Sequence, residues 1–450
     1  MKIRIRYLTL ITIGLLASLS GCAQKGTISE KPAMMPMQAG ETRDFSVNGM
    51  KIIFKKVEGN QIVSAQLYLL GGLTVIPAEE AGIENFILSV AQNGSGKYTK
   101  DEVNDHLART GAQLSSSADN DYTTFSLRCL TRDFDLLWDI YTDALFYPTL
   151  DSAEVELVRE RRINSIRQAK DSPDAWLRVL TDSVFYMHTP YEVQPGGTVS
   201  SISSITVEDM FRFHSDKFVT SRMLLVVVGN LTLDGLKSKV ESSFGSRTTG
   251  IYKAVSLSMP DMAASPHLKI ESRELPTNYI RGQYFAPSMS SPDYQPMQIA
   301  TSILRQRLFE EVRTNRGLSY AISSTLGNRL SNYGYIYVTA VEPDTTLKVM
   351  LKEVRRIQEV PISDKELRDK ISVFTTLYYR QNETNAAQAV QLAAHEIKGG
   401  GYKKAGKIVI GLKGVTPEDV LRVTSKYMRN INFIVIGDPA KIDEALFTSY

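Results

Sequence analysis

Cysteine is scarce in this 450-residue chain, with only Cys22 and Cys129, too few for a disulfide scaffold. Histidine is nearly as scarce. The five are His106, His188, His214, His267 and His395. None has a second histidine three or four positions away, so no helix face carries a His pair at metal-ligand spacing, and each reads as a surface or packing residue. Acids are missing from residues 1–22, where Lys2, Arg4 and Arg6 supply the whole formal charge of +3. The remainder is neutral, which leaves no global field to attract nucleic acid or an anionic membrane. Beyond residue 22 no apolar run approaches the length of a membrane span. What is present is an ordinary globular balance, 43% hydrophobic and 22% charged. That balance excludes disorder, collagen or coiled coil as the main architecture, and the length suggests two to four domains.

The first 22 residues read as a secretory leader. A basic stretch precedes an apolar segment from about Tyr7 to Leu19, too short for a comfortable span, and Leu19-Ser20-Gly21-Cys22 has the form of a bacterial lipobox. The expectation is an exported lipoprotein, acylated at Cys22 and anchored in a bilayer by its chains. Ala23 in place of an aspartate points to the outer membrane, facing the periplasm. Residues 23–42, which lack periodicity and contain Pro, Gly and Ser, read as a tether.

The body looks duplicated. TVEDMFRFHSDKFVTSRMLLVVVGN (206–230) and TPEDVLRVTSKYMRNINFIVIGD (416–438) share an order: Thr cap, acid three residues on, amphipathic helix, apolar strand, Gly. Thr206 matches Thr416, Asp209 matches Asp419, and Gly229 matches Gly437. Two homologous units follow, 43–250 and 267–450, joined by a linker at 251–266. In the first, strands are expected at 50–54 and 62–70, and a helix from Pro77 to about Gln92. A hairpin of 111–118 with 122–130 turns at Asp119-Asn120-Asp121, and helices follow at 132–147, 151–170 and 174–186. The second unit repeats the order with strands at 269–272 and 279–285, a helix at 292–314 and a hairpin across 328–332. The fold class is α+β: each unit is a mostly antiparallel sheet with helices packed on one face.

With these landmarks the chain resembles the insulinase/pitrilysin-type zinc peptidases, the inverzincins. NGMKIIFKK (48–56), LLGGLTVIPAEEAGIENFILSVAQNGSGKYT (69–99) and YEVQPGGTVSSISSITVEDMFRFHSDKF (191–218) carry the likeness, which implies a clam-shell arrangement. In that family a helix bears G-x-x-H-x-x-E-H, whose histidines bind zinc and whose glutamate serves as general base. The aligned segment here runs from Gly82 to Ser89. Asn85 and Ser89 stand for the histidines, Leu88 for the glutamate, and Ser165 for the third ligand farther on. Asn and Ser are poor zinc ligands and Leu88 accepts no proton, so no metal and no other cofactor is expected in this chain. Glu79, Glu80 and Glu84 read as a solvated helix start. Gly399-Gly400-Gly401 lacks the Lys and Ser/Thr of a phosphate loop and reads as a turn. Cys129, in a strand, reads as a buried inert thiol.

Two elements match the family beyond the lost motif. Arg313 and Tyr320, in LFEEVRTNRGLSYAISS (308–324), keep the spacing of the pair that donates hydrogen bonds to the substrate carbonyl. GAQLSSSADN (111–120) resembles the edge strand that docks peptides, with Ser115-Ser116 departing from the family pattern. The resemblance implies a zinc-less subunit that pairs with a zinc-bearing inverzincin chain as a hetero-oligomer and acts on peptides or unfolded protein. Arg313 and Tyr320 are then the catalytic contribution of this chain, and the zinc sits in the partner. A non-proteolytic peptide-binding or scaffold protein of the same fold is the alternative, and a self-sufficient metallopeptidase with an unconventional site the third.

Overall fold

A computed structural model describes residues 40–450; the leader, Cys22 and the tether to residue 39 lie outside the described residues. The first sheet is built from β1 (Thr42–Val47), β2 (Met50–Lys56), β3 (Ile62–Leu70), β4 (Gln113–Ala118), β5 (Tyr122–Leu130) and β6 (Met223–Gly229) in the order β1-β2-β6-β3-β5-β4. Its helices are α1 (Ile83–Ala91), α2 (Lys100–Thr110), α3 (Phe134–Phe146), α4 (Ser152–Asp171), α5 (Pro173–Phe185), α6 (Val199–Ser204), α7 (Val207–Lys217) and α8 (Leu233–Phe244). The second sheet is built from β7 (Leu268–Ser272), β8 (Asn278–Phe285), β9 (Ile322–Leu326), β10 (Tyr333–Ala340) and β11 (Asn432–Gly437) in the order β7-β11-β8-β10-β9. With it go α9 (Tyr294–Leu308), α10 (Pro343–Glu359), α11 (Asp364–Gln381), α12 (Asn385–Ile397), α13 (Ile408–Lys413), α14 (Pro417–Tyr427) and α15 (Glu444–Phe447). Among the described residues no helix is long and apolar enough to cross a membrane.

The two sheets have one topology. With β1 set aside, each has a single parallel pair (β2 with β6, β7 with β11), and every other neighbour is antiparallel. The repeated caps are equally alike. Thr206 with Asp209 and Thr416 with Asp419 each form a capping box at the start of α7 and α14, satisfying backbone donors that a helix start leaves free. The strand Thr42–Val47, antiparallel to β2, has no counterpart in the second sheet and was not expected, because TRDFSV lacks a long apolar run. The helix expected from Pro77 is split: a short 3-10 turn covers Ala78–Glu80, and α1 begins only after Gly82, whose φ is +92°.

Each sheet packs its own helices on one face, as the α+β pattern implies, and a helix from the other half covers the second face. α12 lies on the first sheet, burying Ala389, Leu392 and Ala393 against Ile53, Tyr68, Leu224, Val226 and Val228. Asn385 donates to the Ile62 carbonyl at 2.6 Å, and Lys51 pairs with Glu396 at 2.7 Å. α5 returns the arrangement on the second sheet, with Leu177 against Ile434 and Ile436 and the Trp176 indole donating to Glu271 at 2.8 Å. MLLVVVG in β6 is buried along its whole length, the signature of a strand covered on both faces. Each fully buried aliphatic side chain contributes about 1.5–3 kcal/mol, so the crossed helices hold the halves in one body.

Asp293, just before α9, accepts from Arg422 at 2.6 Å, Tyr427 at 2.9 Å and Lys426 at 3.0 Å, all on or at the end of α14. Burial raises its pKa, but those three donors outweigh burial and hold it at about 2. A depressed carboxylate stabilises above its unfolded value and loses that stabilisation as pH falls through the folded value. Asp293→Asn is therefore expected to cost about 1–2 kcal/mol at pH 7. The gap to wild type in urea midpoint should close as the pH falls from about 4 towards 2. A gap unchanged over that range would show that the charge on Asp293 contributes nothing.

Candidate functional site

The segment aligned with the zinc motif folds as α1, between α4 and β4. Its start is set by backbone contact: a Cβ on Gly82 would sit 2.7 Å from the Gly196 carbonyl oxygen, so only glycine lets the helix meet the Gly196-Gly197 turn. Ser201 of α6 donates to the Ala81 carbonyl at 2.8 Å. Asn85 and Ser89 lie one turn apart on one side of α1, and Leu88 is fully buried in the core.

The α4 residue that meets this side is Arg162. Its Nη2 donates to the Asn85 carbonyl at 2.6 Å and to Ser89 Oγ at 2.8 Å. Ser165, the position the alignment assigned to the third ligand, is exposed. Ser89 Oγ also bonds the Asn85 carbonyl at 2.7 Å and lies 3.2 Å from Ser116 Oγ of β4, which accepts from Gln92 at 3.2 Å. Arg159 and Arg162 stand over the Phe86 ring at 5.2 and 5.6 Å, a cation–π arrangement that fixes both guanidinium stems. Burial pushes Arg162 down to about 10, still fully protonated at neutral pH.

Residues 51–193 match the family model described as insulinase (peptidase family M16), and residues 204–374 match the model described as peptidase M16 inactive domain. The chain belongs to the insulinase family. It is 22% identical over 410 residues to the mitochondrial-processing peptidase subunit beta of Lentinula edodes, covering 86% of this chain and 87% of that one. An uncharacterized zinc protease of Mycobacterium leprae is 22% identical over 294 residues, 64% of this chain and 66% of the relative. The peptidase M16 inactive domain structure from Pseudomonas fluorescens superposes with a TM-score of 0.80 at 17% identity, over 88% of this chain and 98% of that one. At that identity the superposition establishes the fold.

Some insulinase-family relatives are named zinc proteases, and the residues here do not fit that ion. The side presented by α1 offers an amide and a hydroxyl, Leu88 is turned into the core, and a guanidinium occupies the space between α1 and α4. A fixed positive charge opposes a dication where family members need donors of negative or neutral charge. Among the described residues no three His, Cys, Asp or Glu side chains converge. This chain is an insulinase-family member without the zinc motif. His395 is buried and His214 half-buried, bonded to the backbone carbonyls of Gln391 and Leu145, and desolvation lowers both pKa values.

One acid departs from the expected solvated helix start. Glu79 is exposed and Glu80 pairs with Arg212 at 2.5 Å, but Glu84 is fully buried and pairs with Arg222 at 2.5 Å. Arg222 also donates to the carbonyls of Leu70 and Lys217 at 2.8 and 3.1 Å. Its burial offers α1 a strong local charge partner, so Glu84 braces the helix rather than complementing a solvent-facing dipole.

Arg313 and Tyr320 are brought together at the far end of α9. A π-helical turn, Phe309–Thr314, continues that helix and carries Arg313, and the guanidinium stands 5.5 Å from the Tyr320 ring centroid and 4.9 Å from that of Phe309. Tyr320 is 85% exposed, and neither side chain has a hydrogen-bond partner among the described residues. Sequence spacing located the pair; the extra residue of the π turn that aims Arg313 was not legible. Ser115 and Ser116 lie on β4, which is the edge of its sheet. Cys129 in β5 is free and buried, and burial pushes its thiol up to about 12. The Gly399–Gly401 turn ends α12, where the amide of Gly401 bonds the His395 carbonyl at 2.9 Å.

Proposed function

We propose that this chain is a lipid-anchored, zinc-less subunit that pairs with a zinc-bearing insulinase-family partner and presents Arg313 and Tyr320 to peptides cleaved in the complex. The observation that carries this reading is the exposed pair itself. A guanidinium and a phenol, in cation–π contact, without a hydrogen-bond partner among the described residues and open to solvent, are donors without a use in this fold. Both suit a carbonyl oxygen on which negative charge develops as water attacks. The vacated α1 site supports a division of labour, since among the described residues no group of ligands for the ion the hydrolysis requires comes together. The relative named as a subunit of a processing peptidase is in keeping with it. Cys22 would tether the subunit to the outer membrane on its periplasmic side, with zinc held by the partner.

The test is reconstitution. The chain mixed with a candidate zinc-bearing partner should cleave an unfolded peptide, and the chain alone should not. Arg313→Ala and Tyr320→Phe are each expected to lower the mixture's rate by about 10²–10³-fold, the scale of losing one donor to a developing oxyanion. Thermal stability should stay within about 0.5 kcal/mol of wild type, because both side chains are at the surface. Equal rates for wild type and both variants would sink the assignment. A scaffold or peptide-binding role is the second reading, favoured by the edge strand beside the α1 site. It predicts that no zinc peptidase co-purifies. Stoichiometric zinc in the purified chain together with chelator-sensitive cleavage would establish the self-sufficient peptidase instead.

A further inference from the structure

Arg162 has more donors than the protein uses. Its Nη2 serves Asn85 and Ser89, but among the described residues no acceptor lies within hydrogen-bond distance of Nη1 or Nε, and no carboxylate lies within ion-pair distance. Nε is shielded from solvent, and so is the unpartnered Oδ1 of Asn85. Three other largely buried cations meet a carboxylate, whereas Arg281, 6% exposed, has none and bonds only Gln283. Arg222 meets Glu84, Arg329 meets Asp182 through two bonds of 2.8 and 2.9 Å, and Lys398 meets Asp119 and Asp121. A charge removed from bulk water without a counter-charge is costly, and here that cost falls where the family holds a metal.

The second observation is the neighbouring edge. β4 pairs only with β5, and its sequence, QLSSSA, has no charge and no proline, the usual guards of a free edge. Its side chains alternate. Gln113, Ser115 and Ser117 are exposed, while Leu114, Ser116 and Ala118 are half-buried, and Ser116 reaches the Arg162 network through Ser89. An extended chain added to this edge sends every second side chain to the side on which Ser116 lies.

We infer that Arg162 turns the vacated metal site into a carboxylate-binding site for peptides lying along β4. The carboxylate, from an Asp or Glu side chain or from a peptide C-terminus, takes the free Nη1 donors of the guanidinium with the Ser116 hydroxyl beside it. The inference concerns binding to this chain alone. It goes beyond the pairing with a zinc-bearing partner, and either can fail without the other.

The test uses the full chain and fluorescence anisotropy with labelled peptides slightly longer than the six residues of β4. One peptide is neutral with an amidated C-terminus, the second adds an internal Glu, and the third has a free C-terminal carboxylate instead. At least one carboxylate peptide should bind about tenfold or more tightly than the neutral one, the scale of a charge-assisted hydrogen bond, and which of the two does so identifies the source. Arg162→Gln should abolish the preference. Ser116→Ala, on the strand, should narrow the preference without touching the buried charge. If Arg162→Gln does not fold, the wild-type series and Ser116→Ala decide. Equal binding of all three peptides, no binding of any, or a preference that survives Arg162→Gln would overturn the inference.

Discussion

Lys398→Met is expected to destabilise the protein by about 3–5 kcal/mol, the cost of leaving a buried charge without its partner. Lys398 follows α12, and its ammonium lies 2.8 Å from Asp121 and 3.2 Å from Asp119 in the hairpin turn between β4 and β5. Asp121 is 1% exposed. It also accepts from the Tyr191 hydroxyl and, at 3.2 Å, from the Leu330 amide in the turn between β9 and β10. One carboxylate thus joins four segments from both halves. Burial lowers the Lys398 pKa, but Asp121 and Asp119 outweigh it, and the net shift is upward. A raised lysine contributes its stabilisation in full below the unfolded value near 10 and loses it only as pH rises through the higher folded value. The loss in Lys398→Met should therefore be flat across neutral pH. Urea unfolding at pH 6, 7 and 8 checks this, and Asp121→Asn in the same background should recover part of the loss. A change below about 1 kcal/mol would mean that the crossed helices alone hold the halves.

Glu84→Ala is the second large effect, again about 3–5 kcal/mol. It strands the Arg222 guanidinium, which is 3% exposed, with only the carbonyls of Leu70 and Lys217 to meet its charge. Glu84→Gln keeps the shape and one acceptor and should cost less. The same substitution frees the start of α1, so peptide binding at β4 should weaken along with the melting temperature. If Glu84→Ala melts like wild type, the pair is replaced by solvent and α1 is held by Gly82 and the core alone.

Glu84 shows why this brace was hidden. An acid in the first turn of a helix is what the dipole favours anywhere, and its partner lies 138 residues away in the chain. Arg162 was hidden for a related reason. Arg159, Arg161, Arg162 and Arg167 stand close together in one polar helix, where Arg161 and Arg167 are exposed. No local feature marks Arg159 and Arg162 as the two that turn inward. By contrast the missing metal ligands were legible, because i and i+4 on a helix share a side whatever the helix packs against. The duplication was legible too, since each capping box spans only four residues and closes within itself.

The family resemblance showed the loss of the zinc motif, and periodicity, caps and turn residues settled most strands, most helices and the repeat of the two units. These depend on contacts between residues a few positions apart, which a linear pattern encodes directly. The exchange of α5 and α12 between sheets, the burial of Glu84 and the unmatched charge of Arg162 depend on which surfaces meet. Burial turns an ordinary side chain into a costly or a reactive one, and burial is set by partners far away along the chain.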